Sequence, residues 1–260
     1  MILFKRRSFY PQLLFTTAKV SEKRHRKLIF VKNNSKHQHM DTVLVLDFLK
    51  DLKENNNREW FADNKKRYDQ AKKEMENFVS KMITAVSQID PMLQLPAMKD
   101  CLFRIFRDVR FGADKSPYKT NFGAFIAHGG RKSSFPGYYF HFEPGESMLA
   151  GGVYMPQPET LKLLRNEIYY HSDEFLKIIE KPSFKKHFDK LGDFDKLKKA
   201  PKDFPADFAA IDLLKYRSYI VSQNFSDKEV TAAGYSDMLI ERITELQPFM
   251  AFLNRAIKNG

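Results

Sequence analysis

The chain of 260 residues has a single cysteine, Cys101, and a single tryptophan, Trp60. One thiol excludes an internal disulfide and every metal motif built from several cysteines, and it suits a reducing, cytoplasmic setting. No apolar run approaches the roughly 20 residues that span a bilayer, so no membrane segment is expected. Phosphate-loop patterns are missing as well. Gly129-Gly130 and Gly151-Gly152 fit neither a GxGxxG nor a Walker sequence, and read as a hairpin loop and a strand feature. His141 and Glu143 alternate along one stretch with Glu146 just beyond, but His141 has no HxxxH or HxH partner, so no metal is expected. No cofactor motif is present, and none is expected. His128, His141, His171 and His187 are too scattered to define a Ser/His/Asp order. Cys101, beside Leu102 and Phe103, reads as a buried small residue rather than a nucleophile.

Acidic residues are scarce at one end only. The net charge is +12, yet residues 1–39 hold ten Lys/Arg against Glu22 alone. Nine of the twelve net charges therefore sit there, and three remain over residues 40–260. An average of this kind is no basis for a nucleic-acid surface, which needs a clustered patch on a folded face. Residues 1–39 lack the apolar core of a secretory signal, and Pro11 breaks their helical periodicity. Met40 opens MDTVLVLDFL in the manner of an ordinary protein start, so residues 1–39 are read as an over-extended start and, where present, as a basic, disordered extension with no core to join.

Within residues 40–260, Val45, Phe48, Leu49 and Leu52 recur at helical spacing, with Thr42 as the N-cap. Asn56 and Glu59 have the form of a capping box. After them Phe61, Tyr68, Met75, Phe78, Met82 and Val86 stripe a long helix that stops before Pro91, with Trp60 stapled to the core in its first turn. Period-two alternation then predicts strands over Leu102–Phe111, Asn121–Ala127, Tyr138–Glu143 and Met148–Tyr154. Helical spacing returns from Pro158. A fifth strand is expected over Leu213–Gln223, and a closing helix over Tyr235–Lys258, interrupted or curved near Pro248. The reading is one α+β domain over residues 40–260: a mainly antiparallel four- to five-stranded sheet packed with helices from both ends of the chain.

The stretch FRIFRDVRFGADKSPYKTNFG, Phe103 to Gly123, carries the chemistry. As a strand it would place Arg104, Phe106, Asp108 and Arg110 on one face, and Ile105, Arg107 and Val109 on the other. The turn after it presents Lys115, Tyr118 and Lys119. Arginine forks grip carboxylate or phosphate in two places, lysines add point charges, and a tyrosine hydroxyl can orient a ligand. Arg104, Arg107, Arg110, Lys115, Tyr118 and Lys119 are thus candidate ligand-binding residues for an anionic small molecule, with or without turnover. A competing account pairs Asp108 with its neighbouring arginines in a surface lattice that binds nothing. Two further function classes fit the same segment: a nucleic-acid module that adds Lys198, Lys199 and Lys202, and a docking protein without a ligand.

RIFRDVRFGADKSPYKT, the earlier NNREWF with Asn64 and Tyr68, and GYYFHFEPGESMLAGGVYMPQPETLKLLRNEI resemble a bacterial and fungal family catalogued as domain of unknown function 2461. The resemblance spans residues 43–257 and leaves residues 1–39 outside. It implies that Arg104, Arg107, Asp108, Arg110, Phe111, Pro117, Tyr118, Lys119 and Thr120 match the most distinctive motif of that family, and it implies no particular reaction. The resemblance implies PKGF in the later loop, where the chain reads PKDF, with Asp203 in place of the expected glycine. If the basic extension has no core to join, deleting residues 1–39 should leave the melting temperature nearly unchanged; a loss of several degrees would show that it packs on the domain.

Overall fold

The structure, a computed structural model, describes residues 40–110 and 113–259. The extension of residues 1–39, and the positions Phe111 and Gly112, lie outside the described residues. The first helix, α1 (Thr42–Glu54), is capped by Asp41, whose carboxylate accepts the Leu44 amide at 2.9 Å. Thr42, the expected cap, is buried one position further in. Asn57 rather than Asn56 caps α2 (Arg58–Asp63), accepting the Trp60 amide at 2.9 Å. The long helix expected from here breaks once at Asn64 and resumes as α3 (Lys65–Ile89). Asn64 turns its amide back onto the Trp60 carbonyl (3.0 Å) and accepts from Arg67 (3.2 Å), a side chain competing with the helical ladder.

After α4 (Met98–Cys101) come β1 (Phe122–Ala127), β2 (Gly137–Phe142) and β3 (Ser147–Val153). The helices α5 (Pro158–Tyr170), α6 (Ser172–Ile179), α7 (Pro182–Lys185) and α8 (Ile211–Leu214) then lead into β4 (Tyr219–Phe225). The chain ends in α9 (Asp227–Val230) and α10 (Tyr235–Lys258). The strands pair in the order β1-β2-β3-β4, each antiparallel to the next, so the fold is α+β with a four-stranded sheet. Tyr219 opens the last strand later than the sequence suggests, because Ile211–Leu214 form α8. Through Pro248 the closing helix runs without interruption.

Leu102–Phe111 is the one expected strand that does not form. Among its described residues only two isolated bridges occur, Leu102 to Ala124 and Phe106 to Tyr118. The segment starts along the free edge of β1, where the Phe103 amide donates to the Gly123 carbonyl at 3.0 Å, and then turns away to pair with its own return arm. Arg107 donates to the Pro117 carbonyl and Lys119 to the Ile105 carbonyl, at 3.0 and 2.8 Å. Pro117 has no N–H to answer with, and the Asp108 carboxylate takes the Arg110 amide, so no longer ladder can propagate.

One face of the sheet is the core. Phe122, Ala124, Ile126, Tyr138, Phe140, Phe142, Leu149, Val153, Tyr219 and Val221 are all buried there. Phe78 of α3 meets Phe140 and Phe142 edge-on at 5.4 and 5.0 Å, and α10 covers β3 from the other end of the chain. Gly152 allows β3 and β4 to close at the sheet's end: its φ is +127°, and a Cβ there would lie 2.0 Å from the Tyr219 carbonyl oxygen. Among the described residues no helix is long and apolar enough to cross a membrane.

Asp90, just past α3, is a buried carboxyl beneath this core. It accepts from Tyr138 (3.1 Å) and from the Met92 amide (3.0 Å), but burial outweighs both bonds and raises its pKa. A folded pKa above the unfolded one means that the group's stability contribution is full at low pH and is lost as pH rises through the raised value. Asp90→Asn retains one acceptor and offers Tyr138 a donor. It should melt higher than wild type near neutral pH and lose that advantage as the pH falls into the carboxylate range. A Tm difference that stays flat with pH would contradict this assignment.

Candidate functional site

The charged hairpin around Phe106 and Tyr118 is fixed by what it packs on. Tyr118 is buried, its ring stacked on Phe61 of α2 at 3.9 Å between centroids and 11° between planes. Its backbone is held from both sides by Asn56: the Tyr118 amide donates to Oδ1 at 3.1 Å, and Nδ2 donates to the Tyr118 carbonyl at 2.9 Å. Asn56 thus does the work of a neighbouring strand, which explains why Asn57 is left to cap α2. The half-buried Trp60 packs 6.1 Å from Phe48 on the same corner, in keeping with a staple to the core.

Two arginines of the motif are matched by carboxylates. Arg110 grips Asp108 through Nε (2.9 Å) and a terminal nitrogen (2.6 Å), and this fork, with a smaller contribution from Arg104, lowers the Asp108 pKa. Arg107, half-buried, pairs with Asp114. The Ser116 hydroxyl and amide, at 2.6 and 2.8 Å, join Arg107 in holding the Asp114 carboxyl well below its ordinary range. Lys115 donates to the Val109 carbonyl at 3.0 Å.

Arg104 and Lys119 are placed differently. Both line a cleft of about 570 Å³, within the usual range for a small-molecule site. Five cations and one carboxylate line it: Lys72 and Glu76 from α3, Lys99 from α4, Arg104, Lys119, and Arg131 from the β1–β2 loop. Only Lys72 reaches Glu76, at 3.5 Å; no other ion pair joins the cleft's charged groups among the described residues. Lys119 is half-buried, and burial first, then Arg104 and Arg107, lower the pKa of its ammonium. Its Nζ lies 5.5 Å from the centre of the Phe103 ring. Arg107, Arg110, Lys115 and Tyr118 do not line the cleft, and neither do Lys198, Lys199 and Lys202.

Lys72, Lys99 and Arg131 cannot be picked out along the sequence, because they converge from three segments far apart in the chain. The one available signal is the Gly129-Gly130 pair ahead of Arg131. Gly130, at φ +78°, lets the loop approach α4 so closely that a Cβ would lie 2.9 Å from the Asp100 carbonyl oxygen. Arg131 then latches α4 by donating to the Asp100 and Lys99 carbonyls, at 2.9 and 2.8 Å.

A hydrogen-bonded chain runs from Thr120, next to Lys119, to Tyr139 of β2. Thr120 donates to Glu143 at 2.6 Å, Glu143 bonds the Nε2 of His141 at 2.9 Å, and Nδ1 of His141 bonds the Tyr139 hydroxyl at 2.9 Å. His141 is buried and Glu146 is exposed, so His141, Glu143 and Glu146 do not converge on one point; among the described residues no cluster of metal-ligating side chains occurs. Cys101 is fully buried, and burial pushes its thiol up to about 11, the opposite of an activated nucleophile.

A family model described as conserved hypothetical protein (DUF2461) matches residues 44–252. The chain belongs to this family. No curated protein and no solved structure matches it. The DUF2461 match takes in the whole charged hairpin, Asn56, and all the cations of the cleft.

The two-point grip of Asn56 yields a direct expectation for this DUF2461 chain. Asn56→Ala leaves the Tyr118 amide and carbonyl without partners, at about 1–3 kcal/mol for a buried group so stranded. It should lower the denaturant midpoint, whereas Glu59→Ala, at an exposed position of the first turn of α2, should not. Equal losses would show that Asn56 acts only as a cap.

Proposed function

We propose that this protein binds a phosphate- or carboxylate-bearing small molecule in the cleft between α3, α4 and the charged hairpin, with Arg104 and Lys119 as the principal contacts. The observation that carries the reading is the state of Lys119. It is an ammonium drawn partly out of water beside two guanidinium groups, with no carboxylate in ion-pair range among the described residues. Like charges crowded in this way raise the energy of the empty site, and an anion relieves them through charge-assisted bonds. The rest of the motif then has a supporting part: the Arg107–Asp114 and Arg110–Asp108 pairs and the Lys115 bond close the hairpin, and Tyr118 docks it. A bounded cleft in a body of nearly balanced charge favours a small molecule over a nucleic-acid track, which needs a long basic surface.

A thermal-shift screen of phosphate, sulfate and dicarboxylates tests the proposal. A ligand at a hundred times its Kd should stabilise the wild type by about 2.7 kcal/mol. Arg104→Gln and Lys119→Gln should lose most of the shift while their own unliganded Tm stays level or rises, since each removes one of the crowded cations that has no ion-pair partner among the described residues. Arg110→Gln should respond like wild type. If no anion shifts the wild type, or if Arg104→Gln and Lys119→Gln respond in full, the charges form a surface lattice and the proposal fails.

A further inference from the structure

The walls of the cleft are not all charged. Among the described residues three phenylalanines are exposed, and two of them, Phe103 (37%) and Phe106 (47%), line this one cleft. Tyr68 and Phe122 add buried aromatic lining. A lone exposed phenylalanine is ordinary, but two in one concave site rimmed by cations leave apolar surface in water where a ligand would cover it. Their settings differ. Phe103 lies beside the Lys119 ammonium and meets Tyr139 at 6.1 Å and 76°. Phe106 is braced by Phe61 and Tyr118, at 5.9 and 5.5 Å, so it is the more exposed ring and also a rigidly backed one.

Resting on the anion-binding reading above, we infer that the ligand is a nucleoside phosphate, its phosphate held by Arg104 and Lys119 and its base stacked on Phe106. Inorganic phosphate or a small dicarboxylate satisfies the cations and leaves the aromatic wall wet. A sugar phosphate brings no planar face to it. A nucleotide supplies a phosphate and an apolar ring within one molecule, and base–aromatic stacking tolerates any base because each has a π-face.

Isothermal titration of the full chain with AMP, ribose 5-phosphate, adenosine and inorganic phosphate tests this, using wild type, Phe106→Leu and Arg104→Gln. AMP should bind wild type at least tenfold more tightly than ribose 5-phosphate. Phe106→Leu, a change at an exposed position that keeps apolar bulk, should erase most of that margin and leave ribose 5-phosphate affinity unchanged. Arg104→Gln should weaken both phosphates. If ribose 5-phosphate matches AMP, or if Phe106→Leu keeps the margin, the nucleotide inference falls while the anion reading stands. If adenosine binds as tightly as AMP, or if no phosphate compound binds, both fall. A short single-stranded oligonucleotide that outcompetes AMP with a steep dependence on salt would make the cleft part of a strand-binding track and overturn the inference.

Discussion

One side-chain amide anchors the charged hairpin to the corner between the first two helices. Asn56 leaves the corner between α1 and α2 and completes both main-chain hydrogen bonds of Tyr118, sixty-two residues further on. The hairpin's main-chain contacts with the sheet lie elsewhere, at Leu102 and Phe103 against the edge of β1. The ring stack of Tyr118 on Phe61 adds dispersion and burial to the same joint, but stacking slides more easily than two hydrogen bonds at fixed spacing. Everything proposed for the cleft follows from this joint, because it sets where Arg104 and Lys119 stand relative to α3.

The distribution of charge within the hairpin gives a physical division of labour. Toward its tip, Asp108 and Asp114 neutralise Arg110 and Arg107 locally, so that end is electrically quiet and closed by short-range bonds. Toward its base, Arg104 and Lys119 have no such partners among the described residues and face Lys72, Lys99 and Arg131. The surface lattice thus fits the tip of the hairpin, and the anion site proposed above belongs to its base. Carboxylates placed at the base as well would cancel the field that the cleft presents.

Much of the architecture was legible in the sequence, for reasons that differ from element to element. In Phe122–Ala127 and Gly137–Phe142 the core residues Phe122, Ala124 and Ile126, and Tyr138, Phe140 and Phe142, fall on alternate positions, so period two announces these strands. The same alternation in Leu102–Phe111 misleads, because a hairpin arm with one buried side at Ile105 has the same pattern as a paired strand. Asn56 and Asn57 were indistinguishable as caps, since the partner that claims Asn56 lies far along the chain. Arg104 and Lys119 could be picked out within one charged stretch. Lys72, Lys99 and Arg131 could not, as only the folding of α3, α4 and the β1–β2 loop brings them to the same wall.

Trp60 has a consequence of an optical kind. It is the sole indole of the chain, half-buried on α2 one residue before the Phe61 ring that carries Tyr118. Its backbone is fixed at both ends by asparagines, Asn57 at the amide and Asn64 at the carbonyl. Intrinsic indole emission from this protein thus originates at one point, beside the joint on which the hairpin rests. Undocking of the hairpin would admit water to that corner and shift the spectrum to the red, while fraying of α10 at the far end of the chain would leave the emission unchanged. The molecule carries its own local fluorophore beside the contact that anchors its hairpin.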